Sequence, residues 1–342
     1  MRRNMHIDGM FWASCLTAML LLGGCRKELC YNHDEHNLSI KVEPVFSWEL
    51  QWERSYAEHW PEQWNPAWTH SYESLRPEPA TGVRALVYHE DGTFEENNLE
   101  LSGDRLSARP GIWDILFYNN DTEYILFDEV QSVALATATT RSVSRTGFTA
   151  LHAGERTMNP PDMLFGHYLE EYVPERTLEA VELPVPLRPL TYTYYIHYHF
   201  VKGQQYMALA RGALAGMAER VYLKDGHTDD RSGTVLFDAT LTDDGAEAVV
   251  KSFGVPNYPG DHYNRADGSA ARFTLNLEVR MKNGKFKNFS IDVTDQLLGQ
   301  PRGGVVVVDG LEITDEEGSG GGGGFDVEVD GWGDQIDIPL PL

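Results

Sequence analysis

Between residues 191 and 201, aromatic and aliphatic side chains recur at every second position. Tyr192, Tyr194, Ile196, Tyr198 and Phe200 share one face, and Thr191, Thr193, Tyr195, His197 and His199 the other. A period of two separates the faces of an extended chain, so this stretch is predicted to be a half-buried β-strand. The same alternation runs through residues 272–281, where Phe273, Leu275, Leu277, Val279 and Met281 oppose Arg272, Thr274, Asn276, Glu278 and Arg280. Asn283-Gly284 follows, a pair that accepts the positive φ of a type I′ turn. Phe289, Ile291 and Val293 then alternate with Ser290, Asp292 and Thr294, which predicts a hairpin. Nearer the start, residues 83–88 run into the turn Asp91-Gly92, and residues 112–118 and 124–127 flank the polar corner Asn119-Asn120-Asp121. These predict further paired strands. Residues 204–220, rich in Ala and Met, are expected to form at most a short helix or a crossover loop, because Gly203, Gly212 and Gly216 oppose a helix.

Many short strands broken by frequent turns predict an all-β protein built of antiparallel β-sandwiches, not a parallel α/β sheet. A single core usually stops growing near about 250 to 300 residues, so a chain of 342 residues is expected to hold two sandwiches in tandem. The boundary is expected within residues 179–189, where Pro184, Pro186 and Pro189 interrupt the chain. That places an N-terminal sandwich over residues 38–182 and a C-terminal one over residues 183–342. Residues 318–324, glycine except for Ser319, read as a flexible hinge before a last amphipathic segment. In that segment Phe325, Val327 and Val329 alternate with Asp326, Glu328 and Asp330. It is expected either to close its own sandwich or to be donated as a strand to a neighbouring subunit.

The N-terminus carries a separate message. Arg2 and Arg3 precede a mostly apolar stretch, residues 10–22, too short to span a bilayer, and Leu22-Gly23-Gly24-Cys25 resembles a bacterial lipobox. Residues 1–24 are therefore expected to be a lipoprotein signal peptide, with Cys25 the lipidated residue and residues 25–37 a polar tether. The alternative is a plain secretory signal followed by an unmodified cysteine. Cys15 would leave with the signal and Cys30 would be the only other thiol, which excludes an intrachain disulfide and a cysteine-based metal site. The formal charge of −24, from 28 basic and 52 acidic residues, opposes nucleic acid and anionic lipid alike. Membrane attachment would come from the acyl chains, palmitate among them, at about 0.8 kcal/mol per buried methylene.

Several of these segments together resemble a known family. They are the lipobox with Cys30-Tyr31 after it, Gly82-Val83-Arg84-Ala85-Leu86-Val87-Tyr88 before its turn, and Pro110-Gly111-Ile112-Trp113-Asp114. Leu214-Ala215-Gly216-Met217-Ala218, Val293-Thr294-Asp295-Gln296-Leu297 and the glycine run leading to Phe325 and Trp332 add to them. The chain is similar to a Bacteroidetes lipoprotein family of unknown function, DUF5119, itself similar to the fimbrillins that build pili. The resemblance implies two tandem transthyretin-like, fimbrillin-like sandwiches, attachment to the outer membrane with exposure at the cell surface, and fimbrillin-like protein subunits as partners. One departure is that Arg26 and Lys27 follow Cys25 directly, where surface-exported relatives often carry acidic residues. The membrane leaflet therefore stays open.

Chemistry is thinly signalled. His197 and His199 stand two apart on a strand face, a spacing that could serve zinc, but no third ligand is evident and solvent-facing or cross-strand paired histidines are expected. His33 and His36 lie in the tether. Asp225, Asp229 and Asp230 lack EF-hand spacing and read as a solvated acidic turn. Neither Gly-x-Ser-x-Gly nor His-Glu-x-x-His occurs, so the expectation is a non-enzyme with no cofactor and no metal. Five of the eight tryptophans fall together: Trp48, Trp52, Trp60, Trp64 and Trp68. They are candidates for contact with a partner or with glycan rings, and the competing reading is a long loop that folds down and buries its indoles. The chain is thus expected to be an anchor or accessory subunit of a fimbria-like assembly, the alternative being a glycan-binding surface lipoprotein.

Overall fold

The computed structural model describes residues 39–54, 59–102, 104–145, 154–319 and 335–338. The expected signal peptide, the tether with Cys25, and Phe325, Val327 and Val329 lie outside the described residues. The chain is all-β. It opens with β1 (Ser39–Ile40), β2 (Val42–Trp48), β3 (Val83–His89), β4 (Phe94–Leu99) and β5 (Trp113–Asn119). Then come β6 (Ile125–Asp128), β7 (Thr137–Thr140), β8 (Ser142–Arg145), β9 (Arg156–Met158), β10 (Phe165–Tyr172), β11 (Arg176–Thr177) and β12 (Val181–Pro189). The second half holds β13 (Tyr192–Lys202), β14 (Met207–Ala218), β15 (Arg220–Tyr222), β16 (Ser232–Thr242) and β17 (Gly245–Ser252). It continues with β18 (Thr274–Met281), β19 (Phe286–Asp292), β20 (Gly304–Glu312) and β21 (Gln335–Ile338). Among the described residues three short α-helices, α1 (Trp60–Gln63), α2 (Thr294–Gly299) and α3 (Asp315–Ser319), and two 3₁₀ turns, Tyr72–Leu75 and Gln204–Tyr206, interrupt them. None is long and apolar enough to cross a membrane.

The first sheet runs β2-β12-β10-β5-β3-β4. On one face Val83, Ala85 and Val87 with Trp113, Ile115 and Phe117 pack against Val42, Leu183, Val185 and Leu187 of the β2–β12 ribbon. On the other, Leu86, Tyr88, Leu116 and Tyr118 pack beneath the small sheet β15-β7-β6, joined by Leu190, Leu223 and Phe253. Central strands buried on both faces read as near-continuous apolar runs, as β5 does.

The proline cluster shapes this sheet. β10 and β12 pair only where Phe165 faces Pro189 and Gly166 faces Arg188. Continuing that register would set Tyr168 opposite Pro186, which has no N–H to give. Instead β12 turns away and pairs in parallel with β2, from Val181 beside Val42 to Leu187 beside Trp48. The prolines therefore sit inside a strand with an alternating pattern, Leu183, Val185 and Leu187 buried and Pro184 and Pro186 exposed. The expected division at 182–183 falls within that strand.

The second sheet, β19-β18-β14-β16-β17-β13-β20, is curled rather than closed: β16 pairs with β14 along most of its length and passes over to β17 at Thr240, Leu241 and Thr242, while β19 and β20 are its edges. Tyr194, Ile196, Tyr198 and Phe200 face Leu275, Leu277 and Val279 across the resulting core. Of residues 204–220 only Gln204–Tyr206 form a single 3₁₀ turn; the rest is neither helix nor loop, because β14 is a central strand of 12 residues. Tertiary packing overrides the alanine signal, since Gly212 lies against the Phe237 ring, where a Cβ would stand 2.3 Å from its carbons. The predicted hairpins β3–β4 and β18–β19 form, with Gly92 and Gly284 at φ of 81° and 80°. β5 and β6, however, do not pair with each other. The Asn119 side chain donates to Asp121 and to the Met163 carbonyl and accepts from Phe165 N–H, and the corner carries the chain from one layer to the next. β21 pairs antiparallel with β8 of the same chain.

Candidate functional site

The tryptophan-rich segment lies across the outer face of the second sandwich. Beyond β2 the chain passes to β13, where Thr193 N–H donates to the Trp52 carbonyl at 2.8 Å and Arg54 N–H to the Arg302 carbonyl at 2.7 Å. Gly303 permits this approach, because a Cβ there would stand 2.8 Å from the Trp52 oxygen. Trp52 is buried and Trp48, Trp60, Trp64 and Trp68 are half-buried. Trp48 packs edge-on against Phe165 in the first half. The other four gather around Tyr195 and Val305 with Leu75 and Tyr72.

This strap is held by contacts within the chain. Trp64 meets Trp52, Trp68 and Tyr195 at centroid distances of 6.0, 4.9 and 5.4 Å, and Trp68 reaches His197 at 5.8 Å. Trp52 Nε1 donates to the Tyr72 carbonyl, Trp64 Nε1 to the His70 carbonyl and Trp60 Nε1 to Gln300 Oε1. Edge-to-face indole pairs contribute about 0.5 to 1.5 kcal/mol each beyond their burial. The indole N–H groups of Trp52, Trp60 and Trp64, which would donate to a sugar, are thus engaged.

Under the strap lies a set of buried titratable groups. Tyr195 is 0% and His197 5% exposed, so the face predicted to be polar and solvated is covered. His197 Nδ1 stands 3.3 Å from Glu247 Oε1, its cross-strand neighbour, and Nε2 stands 3.4 Å from Asp244. Glu247 also accepts from Thr69 N–H in the strap. Burial, then Glu247, push the Tyr195 hydroxyl well above the usual phenol range. Burial and a hydrogen bond to Glu53 do the same to Tyr72. His199 pairs instead with Asp309 at 2.5 Å. Asp225 and Asp229 are engaged by His227 and Arg220. Among the described residues no three His, Cys, Asp or Glu side chains gather as metal ligands would.

Two residues escaped sequence reasoning. Gln300 of the α2 C-cap donates to the Val305 carbonyl and accepts from its N–H, and Gln296 does the same for Val307. Each side-chain amide stands in for one residue of a missing strand along the edge of β20. Their spacing of four on a short helix was the available signal.

Fold and site together define a two-sandwich β-protein with an aromatic strap laid on the outer face of the second sandwich. The chain belongs to the DUF5119 family, a domain of unknown function, whose model matches residues 68–238. A Bacteroides ovatus protein, Fim4B, named as a proposed fimbrium anchoring subunit, is 22% identical over 297 residues, 79% of this chain and 88% of its own. The crystal structure of a proposed adhesin from Bacteroides ovatus shares the fold at a TM-score of 0.53 and 17% identity, covering 83% of this chain and 97% of that one. The fimbrial anchor protein Mfa2 of Porphyromonas gingivalis aligns over 75% of this chain and 83% of its own at 12% identity, with a TM-score of 0.38, too low to establish a shared fold.

Proposed function

We propose that this protein is a lipid-anchored subunit of the outer membrane that serves as an anchor or accessory of a fimbria-like assembly. The observation that carries the reading is the match to Fim4B along most of both chains, since a likeness confined to one sandwich would speak only for a shared module. The lipobox ending at Cys25 supplies the attachment. We place the two units at residues 38–182 and 183–342, with β12 spanning the junction. In this reading the tryptophan strap is a brace between them, supported by the engaged N–H groups of Trp52, Trp60 and Trp64. The closing-strand role of the C-terminal segment is favoured over donation by the pairing of β21 with β8 of its own chain.

Mass spectrometry of the mature N-terminus and fractionation of Cys25→Ala test attachment: a diacylated Cys25 and release of the variant from membranes are expected. Crosslinking followed by mass spectrometry of the lipidated protein tests assembly. Recovery of no fimbrillin-like subunit would overturn the role and leave the anchor alone.

A further inference from the structure

We propose that the cleft between the two sandwiches binds a carboxylate-rich extended segment of another protein. The reading deepens the proposed assembly role, on which it rests only for the identity of the partner. The chain carries 52 acidic and 28 basic residues, yet a cleft of about 560 Å³ is lined by Arg54, Arg188, Lys224 and Arg302 against two carboxylates, Glu49 and Asp225. Both carboxylates are already engaged, Glu49 by Arg54 and Asp225 by His227 at 2.5 Å. Lys224 has Glu170 only at 3.8 Å, and its ammonium lies 4.6 Å from the centre of the Tyr168 ring. Arg302 donates to the Gly226 carbonyl and rests on the rings of Tyr192 and Tyr258. Among the described residues neither Arg302 nor Arg188 meets a carboxylate. Two guanidiniums without counter-ions, from different halves of an acidic protein, concentrate positive potential in a concave site.

The occupant follows from the shape of the cleft. Its volume lies in the range that accommodates ligands far larger than one phosphate or carboxylate group. One wall is β10, which loses its partner after Gly166 because Pro186 stands where Tyr168 would pair. The backbone N–H and C=O of Tyr168 therefore face the cleft side without a strand partner. A strand edge beside cations suits an extended chain, the main chain supplying affinity and acidic side chains the selection. His167, held below its ordinary range by burial and then by Arg188, adds a neutral hydrogen-bonding group to the same wall near pH 7.

Fluorescence anisotropy of the full mature chain with a labelled octapeptide of alternating valine and aspartate tests the proposal. Saturable binding is expected, weakened about tenfold by Arg188→Glu and again by Lys224→Glu, because each reversal replaces an attraction with a repulsion. Both side chains lie on the surface, so the melting temperature should hold. If Arg188→Glu does not fold, Arg188→Gln should still weaken binding about threefold. The same peptide N-methylated at alternate residues keeps its charge but cannot pair with β10, and it should bind more weakly. Absence of peptide binding at low salt, or charge reversals without effect, would overturn the proposal. Equal displacement of the peptide by inorganic phosphate or by oligogalacturonate would overturn it in favour of an oxoanion or an acidic glycan. Crosslinked fimbrial subunits without peptide binding would sink the cleft alone; peptide binding without such subunits would sink only the assembly role.

Discussion

The two faces of β13 are buried by different means. Its inner face, Tyr194, Ile196, Tyr198 and Phe200, meets the opposite sheet of its own sandwich, strands that follow it in the chain. Its outer face, Tyr195 and His197 among it, meets a strap that arrives from more than 100 residues earlier. The inner face is a mostly apolar layer whose two hydroxyls, on Tyr194 and Tyr198, donate to the backbone carbonyls of Gln300 and Asn276 in its own half. The outer face carries polar atoms, and the strap that covers it also bonds to groups beside the strand, through Thr69 N–H on Glu247 of β17 and Trp60 on Gln300 of the α2 C-cap. One strand thus shows that alternation reveals which residues share a face, and that polarity does not reveal whether a face is wet.

The comparison can be broken most directly from the inside. Phe200→Ala should cost about 4 kcal/mol, read from urea denaturation, because a fully buried ring in a closed layer leaves a cavity. Trp52→Ala should cost about 3 kcal/mol, since Trp52 is just as buried and anchors the strap. Protease cleavage within residues 59–75 should then precede global unfolding. A cost below about 1 kcal/mol for Trp52→Ala would mean that the strap only rests on the sheet, and the two faces would differ in kind.

Gln300→Ala sharpens the contrast at the edge. It strands Val305 N–H and C=O and the Trp60 N–H together, which should cost about 1 to 3 kcal/mol, and Gln300→Glu should recover only part of this, since the carboxylate can accept from both N–H groups but cannot donate to the Val305 carbonyl. The smallest effect belongs to neither face. The Lys287 ammonium, then Thr314 N–H, hold Glu317 at about 2 instead of 4.5. A depressed carboxylate contributes stability that is present above the unfolded value and lost as pH falls through the folded one. Denaturation midpoints should therefore drop between pH 4.5 and 2, and Glu317→Gln should flatten part of that slope.

The strands were legible wherever a residue's neighbours decided its fate. Leu275, Leu277 and Val279 with Asn283-Gly284 identified a hairpin, because alternation and a positive φ are local properties. Residues 204–220 misled, because alanine and glycine carry no face of their own, and β14 exists only where β16, β18 and the Phe237 ring supply one. The prolines of β12 were seen but misread as a break. Without an N–H they end one pairing and leave the other intact, a distinction that depends on which side the partner lies.

By itself the sequence determined the all-β class, the positions of most strands and the acidic charge, all of which follow from side-chain chemistry and spacing along one chain. The tertiary structure alone decided that the strap covers Tyr195 and His197, that Gln296 and Gln300 stand in for a strand, and that Arg188 and Arg302 line one cleft. The strap and the cleft join residues more than 100 positions apart, and even the nearby glutamines act only because β20 is left as an edge; pairing of this kind is set by packing energy summed over the whole fold, which no local pattern records.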